Sequence, residues 1–129
     1  MGKIQKFEDM DVWKLAREFA KDIYSITGNE NFSKDFRFRD QIRASAGSVM
    51  DNIAEGFERD GRKEFVQFLY IAKGSCGETR SQLYRALDVN YISKDIFDVF
   101  YQKALMISQS LSNFIRYLKQ SEIDGLKYK

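Results

Sequence analysis

The line Phe65, Leu69, Ala72, Cys76, Thr79, Leu83, Ala86 and Asn90 constrains this chain more than any other feature. Its steps alternate four and three. That spacing puts every member on one stripe of a helix, and over more than three heptads it makes the seam of a helix packed lengthwise on others. A helix carrying it spans roughly 40–45 Å at 1.5 Å per residue. Nothing breaks such helices, because the 129 residues include no Pro. Pro is excluded from helix interiors for want of an N–H and because its ring clashes with the preceding turn.

Three further helices are predicted around the seam. The first covers roughly 9–27, with Val12, Ala16, Phe19, Ile23 and Ile26 on its apolar stripe and Trp13, Ala20 and Tyr24 widening it. Gly28 reads as its left-handed cap. Residues 30–33 read as a connector. The second helix covers roughly 34–58, capped by Ser33 or Asp35, with Ile42, Ala46, Val49, Ile53 and Phe57 facing inward. Asp60-Gly61 turns the chain into the seam helix, roughly 62–90, with Gly61 at the N-cap and Glu64 three residues on. The last helix covers roughly 94–120 from a cap at Ser93. Its stripe is Ile96, Phe100, Ile107, Leu111, Phe114 and Leu118, interrupted by Lys103. The tail after Ser121, with Asp124-Gly125, reads as a fraying end. Short connectors between long helices force antiparallel neighbours. The expected fold is therefore all-α: one antiparallel up-down-up-down four-helix bundle over residues 1–129.

The formal net charge is +2, only mildly basic. The single Cys excludes an intrachain disulfide. No run approaches the ~18 apolar residues of a membrane span, and no leader is evident, so a cytoplasmic location is expected. Chemistry is scarce. With no His in the chain, the commonest general base and metal ligand are both missing. Cys76 falls on the seam, where it reads as a small apolar residue. Gly74 and Gly77 lie mid-helix and follow no strand, which argues against a phosphate loop. The expectation is no enzyme, with no catalytic residue, metal ligand or cofactor.

Three surface features remain. Gln41, Ser45, Ser48, Asn52, Glu55 and Arg59 form a polar line on the second helix, matched by Ile71, Ser75, Glu78, Gln82 and Arg85 on the third. Residues whose numbers sum to roughly 118–121 are expected to lie level in that hairpin, which predicts an Arg43–Glu78 ion pair. The candidate structural network is Gln41, Arg43, Asn52, Glu55 and Glu78. Candidate nucleic-acid contacts are Arg37, Arg39 and Arg43 on the second helix and Arg59, Arg62 and Lys63 around the turn, because affinity for nucleic acid comes mainly from phosphate contacts. Lys3, Lys6, Arg116 and Lys119 fall at the turn's end of the bundle. Glu55, Glu58, Asp60 and Glu64 are interleaved with these cations. Finally, Val66, Phe68, Tyr70, Ile71 and Tyr84 exceed what one seam consumes and read as an oligomer contact. The small residues Ala44 to Ser48, with Gly74, Ser75 and Gly77, would admit a close helix neighbour, within the hairpin or from a second subunit.

Several runs carry a family likeness: Phe7-Glu8-Asp9-Met10-Asp11-Val12-Trp13, Gln41-Ile42-Arg43, Asn52-Ile53-Ala54-Glu55-Gly56-Phe57-Glu58-Arg59, and Ile71-Ala72-Lys73-Gly74-Ser75-Cys76-Gly77-Glu78. Over nearly the whole chain the sequence resembles the bacterial four helix bundle family, also called 23S rRNA intervening sequence proteins. It departs at Ala44, where many members are basic, and at Met50, where many have Pro. The resemblance implies a four-helix bundle that assembles as a homopentamer. The family's ribosomal name reflects gene position within rRNA insertions rather than binding. Together these readings predict a non-enzymatic oligomeric binding module with RNA or DNA as candidate partners. The alternative is a protein-interaction scaffold with no nucleic-acid role.

Overall fold

A computed structural model describes residues 4–123, and within that range the chain is helical with no strand. A single 3-10 turn at Phe7–Asp9 leads into α1 (Asp11–Ile26). A short α2 (Glu30–Lys34) precedes α3 (Phe36–Glu58), and α4 (Arg62–Asp88) and α5 (Lys94–Ile123) complete the chain. The expected fraying tail at Asp124-Gly125 lies outside the described residues. The four long helices pack as an up-down-up-down bundle. α3 sits between α1 and α4, α4 packs on α5, and α1 and α5 close the circle with the slightest seam.

The seam is the core. Phe65, Leu69, Ala72, Cys76, Thr79, Leu83 and Ala86 are all fully buried. They meet Val12, Ala16, Phe19 and Ile23 from α1, Ile42, Ala46, Val49 and Ile53 from α3, and Phe100, Ile107, Leu111 and Leu118 from α5. Tyr24 and Ile96 point outward, at the edges of their stripes. The seam stops at Ala86, short of Asn90. Asn90 is the one described non-glycine residue with positive φ (64°). Its N–H donates to Leu87 O and that of Tyr91 to Ala86 O, at 3.0 and 2.9 Å. This is a Schellman ending, with Asn in the left-handed position usually held by Gly.

Helix starts follow local chemistry. The Asp35 carboxylate caps α3 by accepting from Phe38 N–H at 3.3 Å, and Ser93 Oγ accepts from Ile96 N–H at 3.2 Å. Gly61 opens α4 at φ 123°, a conformation that favours glycine. Gly28 does not take a left-handed turn; Thr27 ends α1, its hydroxyl donating to Ile23 O at 2.7 Å. The expected connector is also a helix. Asn29 caps α2 by accepting from Phe32 N–H at 2.7 Å, and its amide donates to Tyr91 O at 3.0 Å. Phe32 is fully buried, its ring 5.1 Å from those of Phe38 and Tyr91. α2 is therefore a plug on the end of the bundle remote from the α3–α4 turn.

Candidate functional site

The α3–α4 hairpin is held by hydroxyls. Ser45 Oγ lies 2.7 Å from Thr79 Oγ1 and donates to Gln82 Oε1 at 2.6 Å, and all three residues are buried. Further along, Ser48 Oγ is 2.9 Å from Ser75 Oγ and accepts from Asn52 Nδ2 at 2.8 Å. Buried hydrogen bonds of this kind penalise a slipped register, since sliding would leave them unmade in a low dielectric. The level pairs run Ser48–Ser75 and Arg59–Glu64. Arg43 therefore falls level with Arg80 and Ser81, beyond Glu78, and the predicted Arg43–Glu78 ion pair does not form. Arg43 turns to α1 instead, donating from Nε to Thr27 Oγ1 at 2.8 Å with its guanidinium 4.4 Å from the Tyr24 ring centre.

Of the residues singled out for a polar network, none bonds directly between α3 and α4; Asn52 reaches α4 through the Ser48 and Ser75 hydroxyls. Gln41 is exposed and makes no side-chain hydrogen bond among the described residues. Glu55 pairs with Arg59 on its own helix, and Glu78 only accepts from Gln82 Nε2 at 3.5 Å. Ser45 and Gln82 lie on the two polar lines read from the sequence, and Thr79 joins them from the seam. The missing signal was depth: a hydroxyl on a seam position is buried, and so must find a partner.

The basic candidates separate to the two ends of α3. Arg37 is exposed, and Arg39 pairs with Asp40 at 3.0 Å over the Phe36 ring. At the turn, Arg59 is clamped between Glu55 (3.1 Å) and Glu64 (3.2 Å), with Phe68 beneath it at 5.0 Å. Arg62 is half-buried at the start of α4 and Lys63 is exposed.

A second basic surface lies between α4 and α5, and sequence reading did not assemble it. A recess of about 330 Å³ is lined by Tyr70, Lys73, Ser112, Ile115, Arg116 and Lys119. Lys119 Nζ donates to Tyr70 Oη at 3.0 Å, and Arg116 donates to Asn113 Oδ1 at 3.1 Å. None of these three cations pairs with a carboxylate among the described residues. The sequence explains why: α4 carries no Asp or Glu from Phe65 to Gly77, and α5 none from Val99 to Ser121. The cations come from distant segments, so only the α4–α5 pairing unites them. In the core seam of α4, burial raises the Cys76 thiol to a pKa of about 11, against the opposing charges of Arg80 and Lys73. Such a thiol is protonated and unreactive.

The expected oligomer face divides as well. Val66 is not part of it, being 8% exposed and packed into the core. Tyr70 and Tyr84 lean over α5, Tyr84 with its ring 4.8 Å from Phe97. Phe68 lies under Arg59, and Ile71 remains half exposed. Val99, Met106 and Tyr117 on α5 are comparably exposed and went unnoticed, because each sits at an edge of a strong stripe.

Among the described residues, no three His, Cys, Asp or Glu side chains group to hold a metal, and no helix is long and apolar enough to cross a membrane. The fold defines an all-helical bundle protein. More particularly, the model of the 23S rRNA-intervening sequence protein family matches residues 8–113, and the chain belongs to that family. It is similar in structure to a protein of unknown function of the S23 ribosomal protein family from Bacteroides thetaiotaomicron, with a TM-score of 0.74 and 28% identity over 81% of this chain and 97% of the other. No curated protein matches it.

Proposed function

We propose that this protein is a self-assembling binding module for nucleic acid, acting in the cytoplasm. The carrying observation is the α4–α5 recess, where Lys73, Arg116 and Lys119 converge without a carboxylate. Cations left uncompensated at a concave surface attract phosphate, and phosphate contacts supply most nucleic-acid affinity. The turn cluster of Arg59, Arg62 and Lys63 contributes less, because Arg59 already has two carboxylates.

Assembly is supported by large apolar side chains left half exposed, among them Ile71, Val99 and Met106. A homo-oligomer, a pentamer by family resemblance, would cover part of this surface and repeat each basic recess around a ring. The same side chains support the second reading, a scaffold that binds only protein.

Retardation of labelled RNA and DNA by the purified protein at low salt separates the two. A complex that weakens steeply with added salt is expected. No complex with any RNA or DNA leaves the scaffold reading, and a monomer by light scattering removes self-assembly.

A further inference from the structure

We infer that the α4–α5 groove is a track for single-stranded nucleic acid, holding phosphates on Lys73, Arg116 and Lys119 and stacking bases on Tyr70 and Tyr84. The groove has this role only if the protein binds nucleic acid, as proposed above. What it adds is the kind of strand and its path.

On α4, Tyr70, Gly77 and Tyr84 stand seven residues apart and so share one face of the helix. They span about 21 Å at 1.5 Å per residue. Lys73 and Arg80 each follow by three residues and flank the same line. Both tyrosines are 48% exposed. Each end of the line pairs an aromatic with a cation. Lys119 Nζ sits 5.3 Å from the Tyr70 ring centre, and the Arg80 guanidinium 5.9 Å from that of Tyr101, whose ring is 5.9 Å from Tyr84. Between the ends the groove is open: a Cβ on Gly77 would meet nothing within 4 Å. Ser112 adds a hydroxyl to the recess.

Cations interleaved with half-exposed rings, along a track several nucleotides long, match what an unpaired strand requires. A duplex already stacks its bases on each other, so the tyrosine faces offer it nothing. The groove between two helices packed about 8–10 Å apart is also too narrow to take a double helix.

The test is fluorescence anisotropy with labelled oligo(dT) and oligo(U) of about 20 nucleotides, against a perfect duplex of equal length. The wild-type protein should prefer the single strands by about tenfold or more. Lys73→Glu/Arg116→Glu should weaken single-strand binding by at least tenfold. Tyr70→Leu/Tyr84→Leu should weaken it about tenfold through lost stacking. Gly77→Glu, which places a carboxylate in open space, should do the same with the fold intact, as checked by circular dichroism and mass. Three outcomes overturn the inference while leaving a nucleic-acid role standing. These are equal affinity for duplex and single strand, tyrosine variants that bind like wild type, or loss of binding only in Arg59→Ala/Arg62→Ala/Lys63→Ala. Failure of the wild-type protein to bind any of the three probes removes both the inference and the function on which it rests.

Discussion

The α3–α4 turn and the α4–α5 groove carry similar numbers of basic side chains, yet they are built in opposite ways. At the turn, Arg59 lies across Phe68 and bonds Glu55 and Glu64. Beneath it α3 and α4 touch backbone to side chain: a Cβ on Gly56 would lie 2.6 Å from Phe68 Cβ. At the groove, Lys73, Arg116 and Lys119 face one another without a carboxylate, and Gly77 looks into open space. At Arg59 the turn is closed sterically and electrically, whereas no carboxylate meets the groove's cations and Gly77 has room beside it. Counting cations along the chain ranks the turn first. Counting what each cation already touches ranks the groove first.

The largest effect that separates the regions is packing. Gly56→Ala must push the Phe68 Cβ, which is not the far end of a flexible side chain, and Phe65 Cδ1 at 3.0 Å. Overpacking of this kind costs about 1–3 kcal/mol. Urea unfolding should show that loss as a lower midpoint at unchanged slope. A neutral Gly56→Ala would mean that the two helices separate freely at the turn, and the contrast would collapse.

Charge gives the next effect. Lys73→Gln should lower the slope of log affinity against log salt by about 1, the signature of one lost phosphate contact. Lys63→Gln at the turn should leave the slope unchanged. Titrations across a salt series read both, and equal slopes for the two variants would show that the protein senses only total charge.

Most of the bundle was legible in the sequence, and the reasons are specific. The steps from Phe65 to Ala86 placed seven residues that are all fully buried. Asp35, Gly61 and Ser93 marked helix starts because each supplies what that position needs, an acceptor or a free φ. Asn90 was misplaced because its spacing fits the seam while its side chain favours the left-handed turn that ends it. α2 was invisible because one turn of helix, held by Asn29 and the Phe32–Tyr91 contact, has no periodicity to read. The Arg43–Glu78 pairing failed by a few residues of register, which the hydroxyls of Ser45, Ser48, Ser75 and Thr79 decide. The groove was illegible for another reason. Lys73 and Arg116 are far apart in sequence, and what distinguishes them, the absence of acids nearby, is a property of two stretches brought together only by folding.

Gly77 sharpens the comparison from the groove's side. In a helix interior Gly is about 1 kcal/mol less favourable than Ala, and at Gly77 no contact opposes a methyl group. Gly77→Ala should therefore stabilise the protein by up to about 1 kcal/mol, a rise in thermal midpoint of a few degrees. Gly74→Ala, also facing open space, should behave alike. A loss at Gly77 would mean that a second subunit already fills the groove, in which case the strand has no track there.

The smallest expected effect is the most discriminating for the turn. Arg59 and its two carboxylates are each about half exposed, so solvent screens both pairs. Exposed pairs of this kind are worth about 0–1 kcal/mol. Removing Arg59 also leaves Glu55 and Glu64 facing each other and uncovers Phe68. Arg59→Ala should cost under about 1 kcal/mol, and part of that loss should vanish at high salt while the Phe68 share persists. In Arg59→Ala/Glu64→Gln, stability should return part of the way, because the carboxylate left behind is neutralised. If Arg59→Ala instead leaves stability untouched and abolishes nucleic-acid binding, Arg59 is spending its charge on a ligand rather than on Glu55 and Glu64, and the turn rather than the groove is the binding surface.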